Sequence, residues 1–569
     1  MKLMVKQYIS SLREREELDA ILPDLISQMG LNVFSVPRRG TLQNGVDVAA
    51  VGSIDGAEEA VYLFSIKSGD LTHNEWDGNA KQSLRPSLNE IIDTYIPSRL
   101  PQKYKYLPIK VCLCFGGDIR EQVRTLVTGY TNYNTRGNIQ FEEWNGDKIS
   151  ELIVNHFLNE NLLPENLRFL LRKTLSFLDE PEVSFGNYSI LLRKIHESTN
   201  ITELTKIRQM NICFWMLYSW CREQNNLQSA VMGAEETLLL SWDLAKNHKG
   251  IRKKDSINIL STFKKILETY HSTNKEYIEK FIDISKGHMT ISAGIYPPSS
   301  VSVNIKLFDI IGRISAYCMW LVWDIRKEKD TALLVSRTSE LSKVSGILIN
   351  IIENNPSLYH PLKDDNAIDL SLALFVLSMD SENQPFIIKW LYHLVQRSIQ
   401  TLQNKTQFTC IINDYAMLIH NQIEVKDEKK FKKLTSGSIY YVILAFFSCL
   451  YEQKDKFDAI AYLKKEHLPH CNFQYWYLND SSEYKLFKGV DKHGMTVSQI
   501  PVDKGMLTFI STLFEECDQN PFYKENSAVK SGLWPLIASA CRRYRNPLPI
   551  NLLKEEFEEE FRVILNSLS

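Results

Sequence analysis

Apolar residues near the start of the chain recur at helical spacing, and a little further on the period falls to two. Leu18, Ile21, Leu22, Leu25, Ile26 and Met29 predict a helix over 11–29. Pro23 lies inside that pattern and marks either a kink or a start, and Gly30 is suited to end it. Strand-like runs come next at 31–36, 45–51 and 61–67, and 74–95 reads as a second helix. Ile109–Phe115 is a further strand closed by Gly116 and Gly117, 118–130 is helical, and 138–144 is a strand. Asn145 and Gly146 then turn the chain, and Asp147 caps the next helix. The predicted order, α-β-β-β-α-β-α-β-α, makes an α/β domain: a mixed sheet with flanking helices.

From about residue 160 the pattern changes to long amphipathic helices, at 203–222, 233–247, 256–270, 306–327, 332–353, 367–378, 386–403 and 437–452. Breaks fall at 296–300, at 354–356 and across 468–502, where aromatic and polar residues leave room for a small hairpin. The expected organisation is therefore an α/β domain over 1–160 and a large all-α domain over 161–569. No clean repeat is visible, although helix pairs could stack as an α-solenoid. The acidic run in the last predicted helix, 551–566, reads as a solvated face.

A chain of 569 residues is too long for one compact core. Its formal net charge of -2 gives no global attraction to nucleic acid, so any such binding must rest on local basic patches. The 10 cysteines show no disulfide-framework spacing, which fits reduced thiols. The N-terminus turns charged at once, without the apolar stretch of a signal peptide. The longest apolar run, 440–451, is too short to span a bilayer and reads as a buried helix. These features together predict a cytoplasmic protein that makes no use of a membrane.

Two charged residues interrupt the apolar strand patterns of the first domain: Asp47, in Gly45-Val46-Asp47-Val48, and Lys67, in Phe64-Ser65-Ile66-Lys67. An acid and a lysine on neighbouring strands are what metal-dependent phosphodiester hydrolysis needs, the acid to hold a divalent cation and the lysine to position water and stabilise phosphate charge. The ordinary alternative is that a lysine at a strand end protects an edge or extends its amine to solvent.

Together with the element order, these residues resemble the PD-(D/E)XK nuclease superfamily, in particular its Mrr-like restriction endonuclease branch, over roughly residues 10–155. In that resemblance Asp47 takes the place of the first acid, and Ser65-Ile66-Lys67 that of the acid-x-lysine triplet. It implies a restriction-endonuclease-like fold and a first-helix acid, for which Glu17 and Asp19 are the candidates. It also implies a glutamine on the following helix, matched by Gln82, and a cation, Mg²⁺ or alternatively Mn²⁺, held by Asp47, the Ile66 carbonyl, the helix acid and waters. The implied substrate is DNA, with RNA as an alternative. The chain departs from the pattern at Ser65, a weak neutral ligand for a hard cation where the family carries an acid or amide. Catalysis would fall to Asp47 and Lys67, with Ser65 and Gln82 beside them. The alternative is a nuclease fold that binds nucleic acid or acts as a scaffold without cutting.

Arg38 and Arg39, on the loop before the second strand, and Lys81 and Arg85, on the helix after the third, are candidate phosphate contacts. For the arginine pair a solvated basic turn is an equal alternative. Arg542-Arg543-Tyr544-Arg545 sets an aromatic among arginines, a pattern that suits nucleic acid, while the basic runs at 249–254 and 426–433 read as solvated. No phosphate-binding glycine loop is present, so any ATP use would belong to a partner protein. Large helical extensions on such nuclease domains resemble effectors of prokaryotic antiviral defence. Cutting both strands would favour a homo-oligomer.

Overall fold

The computed structural model describes residues 2–568 except 12–13, 15–17, 37–43, 55, 79–82, 157–164, 424, 491–493 and 498. The chain forms two compact units, Met1–Gly233 and Ala234–Ser569. The switch from mixed to all-helical pattern near residue 160 falls inside the first unit, which also takes in the helices up to Glu223.

The first unit is built on one five-stranded sheet: β1 Asn32–Ser35, β2 Val48–Gly52, β3 Ala60–Lys67, β4 Ile109–Phe115 and β5 Ile139–Trp144, hydrogen-bonded in that order. β1, β2 and β3 pair antiparallel, whereas β3, β4 and β5 run parallel. All eight residues of β3 are buried, as a central strand covered on both faces requires. One face of the sheet packs a core of Val61, Leu63, Val111 and Leu113 against Trp76, Leu84, Leu88, Val123 and Val127. On the other face Phe64 meets Trp144 edge-on, ring centroids 4.9 Å apart.

Of the helix expected over 11–29, the stretch Asp19–Gln28 forms α2, residues 12–13 and 15–17 lie outside the described residues, and a further helix, α1 Lys2–Ser11, comes before them. Val5 and Ile9 are fully buried and hold the earlier helix in place, a short apolar face that periodicity over 18–29 does not reach. Pro23 lies inside α2, the fifth of its ten residues. The helix expected over 74–95 is also divided, into α3 His73–Asp77, α4 Leu84–Glu90 and a π-helical stretch Ile91–Arg99. Gly78 ends α3, its amide bonded to the Asn74 carbonyl. After β4 come α5 Glu121–Asn134 and, beyond β5, α6 Gly146–His156. Three helices, α7 Glu165–Ser176, α8 Pro181–Glu197 and α9 Glu203–Glu223, complete the unit.

The second unit is helical. Every residue of two of its helices, Ala367–Leu377 and Tyr440–Leu450, is buried, so they form its centre. The long helix Ser300–Lys327 packs on Thr331–Asn354, on Ala367–Leu377 and on the distant Pro535–Tyr544. In a solenoid each repeat touches only its neighbours. Contacts between such remote segments make this unit a globular helical body instead. Within 468–502, where a small hairpin is expected, Tyr475–Tyr477 and Met495–Val497 pair antiparallel with the helix Ser482–Lys485 between them in sequence, so the strands meet without a tight turn. Among the described residues no helix is long and apolar enough to cross a membrane.

Candidate functional site

β2 and β3 end unevenly, and that unevenness builds the site. The Asp47 amide donates to the Phe64 carbonyl at 2.9 Å, just before β2 begins at Val48. Beyond that point β3 runs on without a ladder partner on this side, which would leave the buried Ile66 amide unpaired at a cost of about 1–3 kcal/mol. The Asp47 carboxylate takes the missing place: its Oδ2 accepts from the Ile66 amide at 2.7 Å. Amide and carbonyl of one strand residue face the same side, so the Ile66 carbonyl is turned towards Asp47 as well.

A turn holds Asp47 there. Asn44 and Gly45 both have positive φ, 50° and 79°, and a Cβ on Gly45 would collide with the Ser87 carbonyl of α4. We expect Gly45→Ala to destabilise the first unit by at least about 2 kcal/mol in denaturant unfolding; an unchanged midpoint would show that α4 moves aside freely.

Lys67 ends β3 with only 5% of its surface exposed. Its Nζ lies 3.4 Å from both carboxylate oxygens of Glu14, in the segment joining α1 and α2. Ser65 shares a strand face with Lys67 because side chains alternate; it is 1% exposed, and its hydroxyl has no hydrogen-bond partner among the described residues. Burial pushes the Asp47 carboxyl up to about 6. The Ile66 amide and the Lys67 charge pull it down, and the charges of Glu14 and Asp19 push it further up. The charges of two carboxylates, Glu14 and Asp19, thus act on a third, Asp47, with Lys67 as a cation beside it, an oxygen-rich and net negative set of the kind that suits a hard divalent ion. Among the described residues, however, no three acid, imidazole or thiol side chains stand close enough to hold an ion by themselves.

The raised Asp47 carboxyl has a stability consequence of definite sign. A proton binds the folded chain more tightly than the unfolded one, so stability is present at low pH and lost as pH rises from about 4 through about 6. Asp47→Asn keeps an oxygen for the Ile66 amide and removes the buried charge. It is expected to be more stable than the wild type by up to about 3 kcal/mol at pH 7, and no more stable at pH 4. Denaturant unfolding at the two pH values measures this, and a pH-independent difference would refute it.

Of the residues expected from sequence, the fold brings together Asp47, Ser65, Ile66, Lys67 and Asp19. Arg85 is half exposed and paired with Asp77. Glu17, Arg38, Arg39, Lys81 and Gln82 lie outside the described residues. Sequence reasoning misses Glu14. Its signal is the acid-rich run Glu14, Glu16, Glu17 and Asp19, but which of these acids reaches Lys67 depends on where α1 ends. The arginine cluster near the C-terminus is corrected: Arg542 is buried and ion-paired with Glu235 and Asp309, so it does not present itself to nucleic acid. Comparison with protein-family models, curated proteins and solved structures finds no match for the chain.

Proposed function

We propose that the first unit is a metal-dependent endonuclease of the PD-(D/E)XK type, with a restriction-endonuclease-like core that cleaves DNA phosphodiester bonds using Mg²⁺ or Mn²⁺. The observation that carries this reading is the convergence of Asp47, the Ile66 carbonyl, Glu14 and Lys67 at the open end of the β2–β3 pair. The net negative charge around Asp47 is what a cation would relieve, so the donor set fits such an ion, with Asp47, the Ile66 carbonyl and Glu14 or Asp19 as its holders. When bound, the ion would neutralise phosphate charge and make a bound water more acidic. Asp47 keeps the Ile66 backbone fixed, so both oxygen donors are in place before any ligand arrives. Lys67, buried and tethered by Glu14, directs its ammonium at the position of a phosphate oxygen or an attacking water. The unpartnered Ser65 hydroxyl offers one further hydrogen bond to water where the family carries an acid.

A second reading is a nuclease fold that binds nucleic acid, or serves as a scaffold, without cutting. Ser65 in the acid position favours it, because a neutral hydroxyl holds a hard cation weakly. The two separate on incubation of plasmid and linear DNA with the full chain in Mg²⁺ or Mn²⁺, with a chelator as control. Metal-dependent nicking supports the enzyme, whereas binding without cutting, and without metal uptake in calorimetry, supports the scaffold. The helical unit would recognise a trigger, an ATPase or another protein partner, or build a homo-oligomer. An antiviral effector role rests on this architecture alone.

A further inference from the structure

At the far end of the sheet from Asp47 and Lys67, three segments meet whose charge is almost all of one sign. Residues 94–117 and 122–141 contain no aspartate or glutamate. Apart from Lys110 and Arg124, which pair with Glu142 and Glu121, the first stretch carries Arg99, Lys103 and Lys105, and the second Arg136. Lys105 Nζ donates to the Pro97 carbonyl at 2.7 Å, and the Asn138 side-chain amide donates to the Leu107 carbonyl at 2.8 Å. These bonds tie the loop before β4 to the π-helical stretch on one side and to the α5–β5 turn on the other. None of these four cations is paired with a carboxylate among the described residues. Of the acids near this end, Asp93 is exposed, Glu58 and Glu59 lie exposed just before β3, whose Val61 amide bonds the Pro108 carbonyl, and Glu142 is held by Lys110 and Lys148.

Two tyrosines stand out of this surface, Tyr106 at 90% and Tyr133 at 82% exposure. Burial is the usual state of a large ring, so two nearly bare rings among unpaired cations need a reason. Tyr104 shows the alternative fate: it packs on Phe34 at 5.1 Å and carries Lys103 over its face. Cations that track a phosphate backbone, interleaved with rings on which bases stack, are the elements of single-strand recognition.

We propose that Arg99, Lys103, Lys105 and Arg136, with Tyr106 and Tyr133, form a binding surface for a single-stranded nucleic acid segment, separate from the cleavage site. β4 starts beside this surface and ends at Phe115, which pairs with Lys67. The two places are therefore about 20 Å apart along the sheet. The surface would hold a displaced or unpaired strand while the duplex lies elsewhere. The proposal shares with the nuclease reading only the class of partner and needs no cleavage.

The test uses the full chain in a chelator, so that nothing is cut, with fluorescence anisotropy of labelled oligo-dT, oligo-rU and a duplex. Lys103→Glu/Lys105→Glu/Arg136→Glu is expected to weaken single-strand binding at least about tenfold and to lower the salt slope by roughly 2. Tyr106→Ala/Tyr133→Ala is expected to weaken it about fivefold or more while leaving duplex binding within twofold. Comparing the dT and rU arms tells which sugar is preferred. Lys429→Glu/Lys430→Glu/Lys432→Glu, on the helix Glu428–Leu434 that buries Phe431 and Leu434 and leaves Lys429 and Lys432 exposed, makes the same change in net charge elsewhere and should bind as the wild type does. Wild-type binding by the patch variants overturns the proposal, as does an equal loss in the control variant or displacement by heparin with no effect of the tyrosines. Lys67→Ala separates the two ideas. Retained binding without cutting supports the surface whatever becomes of the nuclease, and loss of binding in that variant overturns a separate surface.

Discussion

Replacing Lys67 with alanine is expected, on the proposed nuclease reading, to reduce Mg²⁺-dependent cleavage of plasmid DNA by at least about 100-fold, the usual cost of removing one preorganised group that meets transition-state charge. The expectation rests on placement. Among the described residues the Lys67 ammonium is the cation that acts on Asp47; it is nearly buried, and Glu14 fixes it from the other side. Asp47→Ala should lose as much, because it removes a carboxylate and also releases the Ile66 amide. Asp47→Asn is the sharper variant: it keeps the backbone contact and raises stability, so a loss of cutting there is chemical rather than structural. The measurement is the initial nicking rate on supercoiled plasmid, with far-UV circular dichroism as the folding control. Cutting at wild-type rates by Lys67→Ala would place the chemistry elsewhere or assign it to a contaminant.

Arg542→Ala is expected to destabilise the helical unit by about 3–5 kcal/mol, the cost of leaving buried charges without their partner. The Arg542 side chain is 2% exposed; it binds Glu235 and lies 2.7 Å from Asp309. Arg313 bonds the same two acids, at 3.4 Å to Glu235 and 2.9 Å to Asp309, and Arg545 reaches Asp369 at 2.8 Å. Burial pushes the Asp309 carboxyl up, but the charges of Arg313 and Arg542 outweigh it and hold the carboxyl well below the usual range. Stability from Asp309 is therefore present above its unfolded value near 4 and lost as pH falls below it. Urea unfolding of the wild type and variant at pH 7 measures the loss, and a difference under about 1 kcal/mol would show that water or a rearranged partner replaces the guanidinium. Glu235→Gln/Arg542→Met should recover part of the loss, since it removes a charge from each side.

Much of the first unit is legible in the sequence because its strands are short and strongly patterned. The bounds of β4 are plain there, since the apolar run Ile109–Phe115 is closed by two glycines. Asp47 and Lys67 stand out because a charge inside an apolar strand is costly unless something uses it. The first helix is hidden for the opposite reason: Val5 and Ile9 are too few to show a period, and only packing against the rest of the unit makes them core. The same limit hides Glu14, one of several acids in a charged stretch with no periodic signal. The arginines at 542–545 look like a nucleic-acid contact because charge density is visible in sequence, whereas the carboxylates that consume it come from distant segments of the chain.

Local pattern was enough to set the order of the strands in the first unit, the helical character of the rest of the chain, and the two residues around which the candidate site is built. All of these depend on neighbours within a few positions, where side-chain period and turn chemistry act. Long-range packing decided which acid faces Lys67, how the end of β2 leaves the Ile66 amide to Asp47, and which basic residues are spent inside the helical unit and which remain on the surface. Those outcomes depend on groups brought together from distant parts of the chain, where burial and long-range charge set the result and local pattern carries no record of it.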